Sequence, residues 1–255
     1  MISEHASRTL VWDGCVNVRD LGGIPTEDGA VTRSGAVFRA DNIRGLSEEG
    51  WRSLVGHGVV RIVDLRYPEE LAKDSPNEVA ADVDVVHVSV LGPSLEENRD
   101  YFRELDANVD VVDDIADHYE WSYVEFLERN RTRFGAALAA VADADGPVVI
   151  HCMGGKDRTG LVAALLLRLA GVSADAIGAD YALSGANLAA RTEAWLAGLE
   201  DERDRRRLEK LSGTPASAMA RVIVEIERRH GSVAGYLEAA GVSPDQVDRL
   251  RGRLR

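Results

Sequence analysis

The sequence predicts an α/β fold: a central, mostly parallel sheet flanked by helices, followed by a layer of further helices. Three observations carry that expectation. Residues 59–65 (VVRIVDL) and 148–150 (VVI) are short apolar runs rich in β-branched residues and bounded by turn signals, as strands buried on both faces are. Helical periodicity fills the segments between such runs. Beyond Gly171-Val172-Ser173 the chain reads as helical almost to its end.

The elements follow in order. The first 40 residues are rich in glycine and turns, with Leu21-Gly22-Gly23-Ile24-Pro25 and Glu27-Asp28-Gly29 ahead of an apolar run at 36–40. Ser47 is placed to cap a helix over 47–55, with Glu48 and Glu49 in the first turn, where the helix dipole favours acids. Residues 83–90 (VDVVHVSV) alternate apolar and polar, which predicts a half-exposed strand. Trp121, Val124, Phe126, Leu127, Phe134, Leu138 and Val141 carry the spacing of an amphipathic helix. Gly146-Pro147 punctuates before the strand at 148–150, which runs into a glycine-containing loop and a helix over 159–170. Met219, Val222, Ile223 and Ile226 fall at i, i+3, i+4 and i+7, one side of a helix. No linker divides the chain, so a single domain over 1–255 is expected, with an α/β core over 1–175 and a helical layer over 176–255.

Composition excludes several classes. The 255 residues are 45% hydrophobic and 29% charged, an ordinary globular mix and no disordered or fibrous chain. The longest apolar run in a candidate helix, 161–167, is far short of the roughly 20 residues a membrane span needs. The N-terminus shows no basic start followed by an apolar block, and a chain with only Cys15 and Cys152 has no disulfide framework. Together these predict a cytoplasmic protein without an integral membrane segment. A net charge of −13 argues against a nucleic-acid partner, because such partners are recruited by a positive field. The segment 96–128, with 12 acids against 2 arginines, supplies most of that imbalance and reads as a solvated helical face. Arginines gather at 203–207 and 249–255, the latter reading as a solvated helix end. An anionic substrate must therefore be captured by a local field.

That field is legible at His151-Cys152-Met153-Gly154-Gly155-Lys156-Asp157-Arg158-Thr159-Gly160. A loop curling from a strand into a helix N-terminus points several backbone N–H groups into one concavity, and the helix dipole adds partial positive charge there. A cysteine at the base of such a loop sits where its thiolate is favoured. Arg158, six positions after Cys152, offers a planar fork able to hold two oxygens of one phosphate. Gly154 and Gly155 let the backbone approach the anion. Nucleophile, anion cradle and bidentate clamp are the parts that phosphoryl transfer through a cysteinyl-phosphate requires.

Here the residues resemble a known family. His151-Cys152-x5-Arg158-Thr159-Gly160 resembles the signature of the cysteine-dependent protein tyrosine phosphatase superfamily. The fuller HCxxGKDRTG is similar to its bacterial tyrosine, dual-specificity and lipid-phosphatase-like branch. Asn17-Val18-Arg19-Asp20-Leu21-Gly22-Gly23, Val37-Phe38-Arg39-Ala40, Ile62-Val63-Asp64-Leu65-Arg66-Tyr67-Pro68-Glu69-Glu70 and the stretch from Tyr236 to Arg249 are similar to further landmarks of that branch.

The resemblance implies Cys152 as nucleophile, Arg158 as phosphate clamp and Asp157 as general acid, with Asp64 the second candidate for that proton. It implies a substrate cradle of Met153, Gly154, Gly155, Lys156 and Thr159, with Lys156 a positive charge at the rim and the Thr159 hydroxyl assisting departure of the thiolate. His151 would orient the loop from behind. The helices after Gly178 would fold over the loop as a lid. The implied reaction is hydrolysis of phosphotyrosine, and of phosphoserine, phosphothreonine or phosphoinositide monoesters. It releases inorganic phosphate and uses no cofactor and no metal.

Other readings stay open beside it. A catalytically silent phosphate-binding module would keep the cradle, and a cysteine-dependent arsenate reductase also couples cysteine to arginine. Asp64 is equally readable as a structural partner of Arg66 or of a loop N–H. Cys15 reads as a small buried hydrophobe. Gly155-Lys156 fails the nucleotide-loop pattern, because position 150 is isoleucine and 157 aspartate. Gly56-His57-Gly58 reads as a turn, and the six histidines show no metal-ligand spacing.

Overall fold

A computed structural model describes residues 8–74, 83–109 and 111–255. The first elements are β1 (Arg19–Asp20), β2 (Val37–Ala40), α1 (Glu48–Gly56), β3 (Arg61–Asp64), the single turn α2 (Pro68–Leu71) and β4 (Asp84–His87). Three helices follow, α3 (Arg99–Val109), α4 (Ile115–Arg129) and α5 (Arg131–Ala142), and then β5 (Val148–His151) and α6 (Asp157–Leu169). The remainder is helical: α7 (Ala174–Ala197), α8 (Glu202–Ser212), α9 (Ala216–His230), α10 (Val233–Ala239) and α11 (Pro244–Arg253).

The sheet order is β1-β2-β5-β3-β4, with only the β1–β2 pair antiparallel. The fold is therefore the expected α/β arrangement. The last strand in sequence, β5, lies at the centre, with Ile150 level with Arg39 of β2 and Val63 of β3. In such sheets ligands bind outside the carboxyl ends of the strands, and the carboxyl end of β5 carries the Cys152 loop.

Strand periodicity builds the two sides. Val148 and Ile150 of β5 join Val37 and Val63 in the larger core, where Leu161, Leu165 and Met219 also pack. Val149 faces the other way with Phe38 and Ile62, against Trp51 and Leu54 of α1. Both faces of the central strands are covered, which explains their unbroken apolar runs. At the edge, β4 pairs with β3 and is largely exposed.

Ser47 caps α1, its hydroxyl accepting from Gly50 N at 3.2 Å. The helix expected through 121–141 is two helices divided at Asn130. Asn130 N and the Asn130 side chain both donate to Phe126 O, at 3.1 and 3.2 Å, and the Asn130 backbone leaves helical geometry with φ −112° and ψ 25°. The helix expected from residue 159 begins two residues earlier, at Asp157. The C-terminal arginines are less free than expected: Arg253 donates to Gly146 O at 2.6 Å and Arg255 to Ala170 O at 2.8 Å, docking the chain end on the core. No helix among the described residues is long and apolar enough to cross a membrane.

The helical layer closes through α9, which packs between α4 and α7 with Met219, Val222, Ile223 and Ile226 fully buried. The approach to α7 is tight at Gly178, where a Cβ would stand 2.3 Å from Ala216 O. Alanine in a helix normally stabilises by about 1 kcal/mol over glycine. Gly178→Ala is expected to destabilise instead, by about 1–3 kcal/mol, because the carbonyl of Ala216 must move. Urea unfolding checks this; a raised midpoint with unchanged slope would contradict it.

Candidate active site

Beyond β5 the chain leaves the sheet as the loop 152–156 and enters α6 at Asp157. The loop lies between the carboxyl ends of β2 and β3, whose last residues, Ala40 and Asp64, are both level with His151. Three successive loop carbonyls are taken from outside. Met153 O accepts from Asn42 N at 2.9 Å, Gly154 O from the Asn17 side chain at 2.9 Å, and Gly155 O from Arg39 Nη2 at 2.7 Å. With the carbonyls drawn outward, the opposite edge of the loop is left to its N–H groups. Those of Met153 to Arg158 donate to none of the described residues, which is the state of an anion cradle. Gly155 has φ +64°, and a Cβ there would stand 2.3 Å from Ala40 O, so no other residue fits without displacing β2.

The groups that hold the loop are themselves held by buried charge. Asp41, fully buried, accepts from Val16 N and Asn17 N and pairs with Arg191 of α7 at 2.8 Å. Asp180 of α7, also buried, pairs with three guanidiniums: Arg8 at 2.9 Å, Arg19 at 3.1 Å and Arg39 at 2.8 Å. Burial works to raise the pKa of Asp180, but Arg19, Arg39 and Arg8 outweigh it and hold the carboxyl well below the usual range. Burial and the neighbouring Arg39 push Arg19 down to about 10, still charged at neutral pH.

Cys152 is 2% exposed. Behind it, His151 Nε2 lies 3.4 Å from Asp64 Oδ2. Asp64 is 2% exposed and accepts from Arg66 on both oxygens, with Nε at 2.9 Å and Nη2 at 2.7 Å. Burial again works to raise its pKa, but His151 and Arg66 hold the carboxyl far below the usual range. Arg66, fully buried, continues to Asp74 at 2.8 Å. Thr159 is fully buried and its Oγ1 has no hydrogen-bond partner among the described residues.

Arg158 is gripped end-on by Glu70. Nη2 donates to Glu70 Oε1 at 2.8 Å and Nη1 donates to Oε2, while the guanidinium carbon lies 5.7 Å from the Tyr67 ring centroid. A guanidinium has five N–H donors; Glu70 takes two and leaves Nε and the outer hydrogens for an anion. Burial works to lower the Arg158 pKa, but Glu70, Cys152 and Asp157 hold it above the ordinary value. Asp157 receives the Tyr123 hydroxyl on Oδ1 and keeps its side chain 44% exposed. Lys156 departs from the rim position expected of it. Its ammonium turns under the helical layer and donates to Tyr119 OH at 3.1 Å, Leu211 O at 3.0 Å and Gly213 O at 3.3 Å. Three acceptors at one point, two of them carbonyls at the end of α8, draw it there.

Met153, Asp157 and Arg158 open onto a cleft of about 660 Å³, with Tyr67, Leu91, Leu95, Phe102 and Phe126 among its walls. The loop thus brings together Cys152, Met153, Gly154, Gly155, Asp157 and Arg158, with His151 and Asp64 behind. Asp64 does not line the cleft. Cys15 lies outside the loop, its Sγ 3.5 Å from Asn42 O, with the thiol pushed up by burial and by Asp41. Sequence reasoning gave no part to Glu70, Tyr123, Tyr181 or Asp180. For Asp180 the available signal was one acid inside the apolar stretch Ile177–Leu183.

Asp180→Asn leaves three buried guanidiniums without their carboxylate, and a loss of about 3–5 kcal/mol is expected at neutral pH. A carboxyl with a depressed folded pKa contributes fully above its unfolded pKa, and that contribution fades as pH falls toward the folded value. The gap between wild type and variant should therefore narrow below pH ~4, the unfolded aspartate value. Urea unfolding across pH checks this; a gap that widens in acid would contradict it.

The comparisons with known proteins agree with this geometry. The sequence model of the tyrosine phosphatase family matches residues 10–255. The chain is similar to the triple specificity protein phosphatase PtpB of Mycobacterium tuberculosis, at 29% identity over 272 residues, covering 94% of this chain and 97% of that protein. It is also similar to a tyrosine-protein phosphatase of Nostoc commune, at 29% identity over 228 residues, covering 86% and 74% of the two chains. The match runs through the sheet, the cradle and the helical layer alike, and the chain belongs to the tyrosine phosphatase family.

Proposed function

We propose that this phosphatase hydrolyses phosphotyrosine monoesters through a cysteinyl-phosphate on Cys152. The observation that carries the reading is the loop over a buried cysteine, its carbonyls tied outward and its N–H groups unused by the described residues, with Arg158 six residues on. The N–H groups and Arg158 would take the phosphoryl oxygens, and both act more strongly as charge builds in the transition state. Cys152 attacks phosphorus, the S–P bond forms, and the ester oxygen leaves with a proton from Asp157. Water then attacks phosphorus, Asp157 takes its proton, and inorganic phosphate departs as the thiolate is restored. The hydroxyl of Thr159, unpartnered among the described residues, is a donor available to that leaving sulfur.

Asp157 is the better of the two acid candidates. It is half-exposed at the cleft, whereas both oxygens of Asp64 are bound by Arg66 and its carboxyl is held ionised. Aromatic and aliphatic walls above Arg158 suit the ring of phosphotyrosine. Phosphoserine and phosphothreonine peptides belong to the same reading, supported by the name of the mycobacterial relative, and phosphoinositides are the lipid substrates to assay. One phosphatase domain over 1–255 is supported by Asp180 and Arg191, which tie the helical layer to the loop. Two free cysteines and a mechanism that needs a reduced thiol support a cytoplasmic location.

Hydrolysis of phosphotyrosine in the presence of chelator, inhibited by vanadate, tests the reading. Cys152→Ser should abolish turnover, and Arg158→Lys should lose about 10²–10³ in rate, since an ammonium cannot make the planar two-oxygen contact. Retained turnover in Cys152→Ser would sink it. Asp157→Asn should lower kcat/KM, which reads the steps through departure of the ester oxygen, by about 10²–10³ for phosphotyrosine while sparing it for 2,4-dinitrophenyl phosphate, whose phenolate leaves without a proton. Equal loss on both substrates would remove Asp157 from the proton transfer.

A further inference from the structure

Behind Asp157 stands a pair of buried phenols that the reaction as described does not use. Tyr123 of α4 and Tyr181 of α7 are each 1% exposed, their hydroxyl oxygens are 2.8 Å apart, and their rings meet edge-on at 90°. The Tyr123 hydroxyl donates to Asp157 Oδ1. Lys156 Nζ lies 3.6 Å from the same oxygen, so both contacts fall on Oδ1. A phenol buried this deeply is costly without partners, and this one has two.

We propose that Tyr123 is a positioning residue for the proton donor: held by Tyr181, it occupies Oδ1 of Asp157 and keeps the transferable proton on Oδ2. The proposal rests on Asp157 being that donor. A carboxylic acid can carry its proton on either oxygen, and only one orientation delivers it to the ester. With the Tyr123 O–H donating to Oδ1, that oxygen serves as an acceptor and the proton sits on Oδ2. In the first step the S–P bond forms, the P–O bond breaks, and the leaving oxygen takes the Oδ2 proton. The negative charge that appears on Asp157 then strengthens the bond from Tyr123. In the second step Oδ2 takes a proton from the attacking water while Tyr123 stays in place. Burial, then Asp157 and Tyr181, push the Tyr123 phenol well above 10, so it remains a donor throughout.

The groups facing Asp157 are Lys156, Arg158, Tyr119, Tyr123 and Tyr181. Tyr123→Phe keeps the ring and both cations and removes one donor to the carboxylate. The variant should lose about tenfold in kcat/KM on phosphotyrosine, a part of the 10²–10⁴ that a positioned acid contributes, and less than about twofold on 2,4-dinitrophenyl phosphate. Tyr181→Phe, which leaves Tyr123 in place but unsupported, should show the same pattern at smaller size.

A merely structural role would lower kcat/KM for both substrates equally, and that result overturns the proposal. Leaving-group selectivity in Asp157→Asn but not in Tyr123→Phe also overturns it, with the proton donor intact. Selectivity in neither variant removes both.

Discussion

Three backbone carbonyls, those of Met153, Gly154 and Gly155, must face away from the centre of their loop, and much of the structure serves that requirement. A loop leaving a strand can present either edge of its peptides, and only the N–H edge binds a dianion. Asn42 N, the Asn17 side chain and Arg39 settle the choice by bonding the carbonyls from behind. The arrangement exists without an anion, so binding one there would not require the backbone to reorder.

Those anchors come from far apart in the chain, and buried ion pairs bring them together. Asn17 is set by Asp41 and Arg19, and Arg39 by Asp180, which α7 contributes some 140 residues later. One carboxylate facing three guanidiniums is an expensive thing to bury, and apolar side chains of similar volume would often be as stable. The excess of positive charge beside the loop gives it a use, because it favours an anion held in the cradle. The overall charge of −13 works against anionic substrates, and this local cluster together with Arg158 opposes it at the loop where the proposed reaction would hold its phosphate. Glu70 restrains Arg158 without consuming it, fixing the guanidinium plane while leaving Nε and the outer hydrogens available.

The sequence disclosed local chemistry well and distant partnerships poorly. The strand at 148–150, the Ser47 cap and the Cys152-to-Arg158 spacing are written in neighbouring residues, and each is found in place. The break at Asn130 was hidden because a one-residue interruption barely disturbs a 3.6-residue period across 121–141. The direction of Lys156 was hidden for another reason. A basic residue in an anion loop reads as part of the cradle, and only the folded chain brings Tyr119, Leu211 and Gly213 within its reach. Asp180, Glu70 and Tyr123 act through partners 34 to 172 residues away on other elements, which periodicity cannot pair. Arg19 and Arg39 were visible as landmarks, but what they hold was not.

The central claim is that a thiol seated in this cradle becomes covalently phosphorylated and is then hydrolysed. Rapid acid quench during turnover of phosphotyrosine, followed by digestion and mass analysis, tests it directly. The account predicts a phosphoryl group on the peptide containing Cys152, appearing and decaying fast enough to carry the whole turnover and missing from Cys152→Ser. Turnover at full rate with that peptide unmodified, or with the phosphoryl group on another residue, would contradict it.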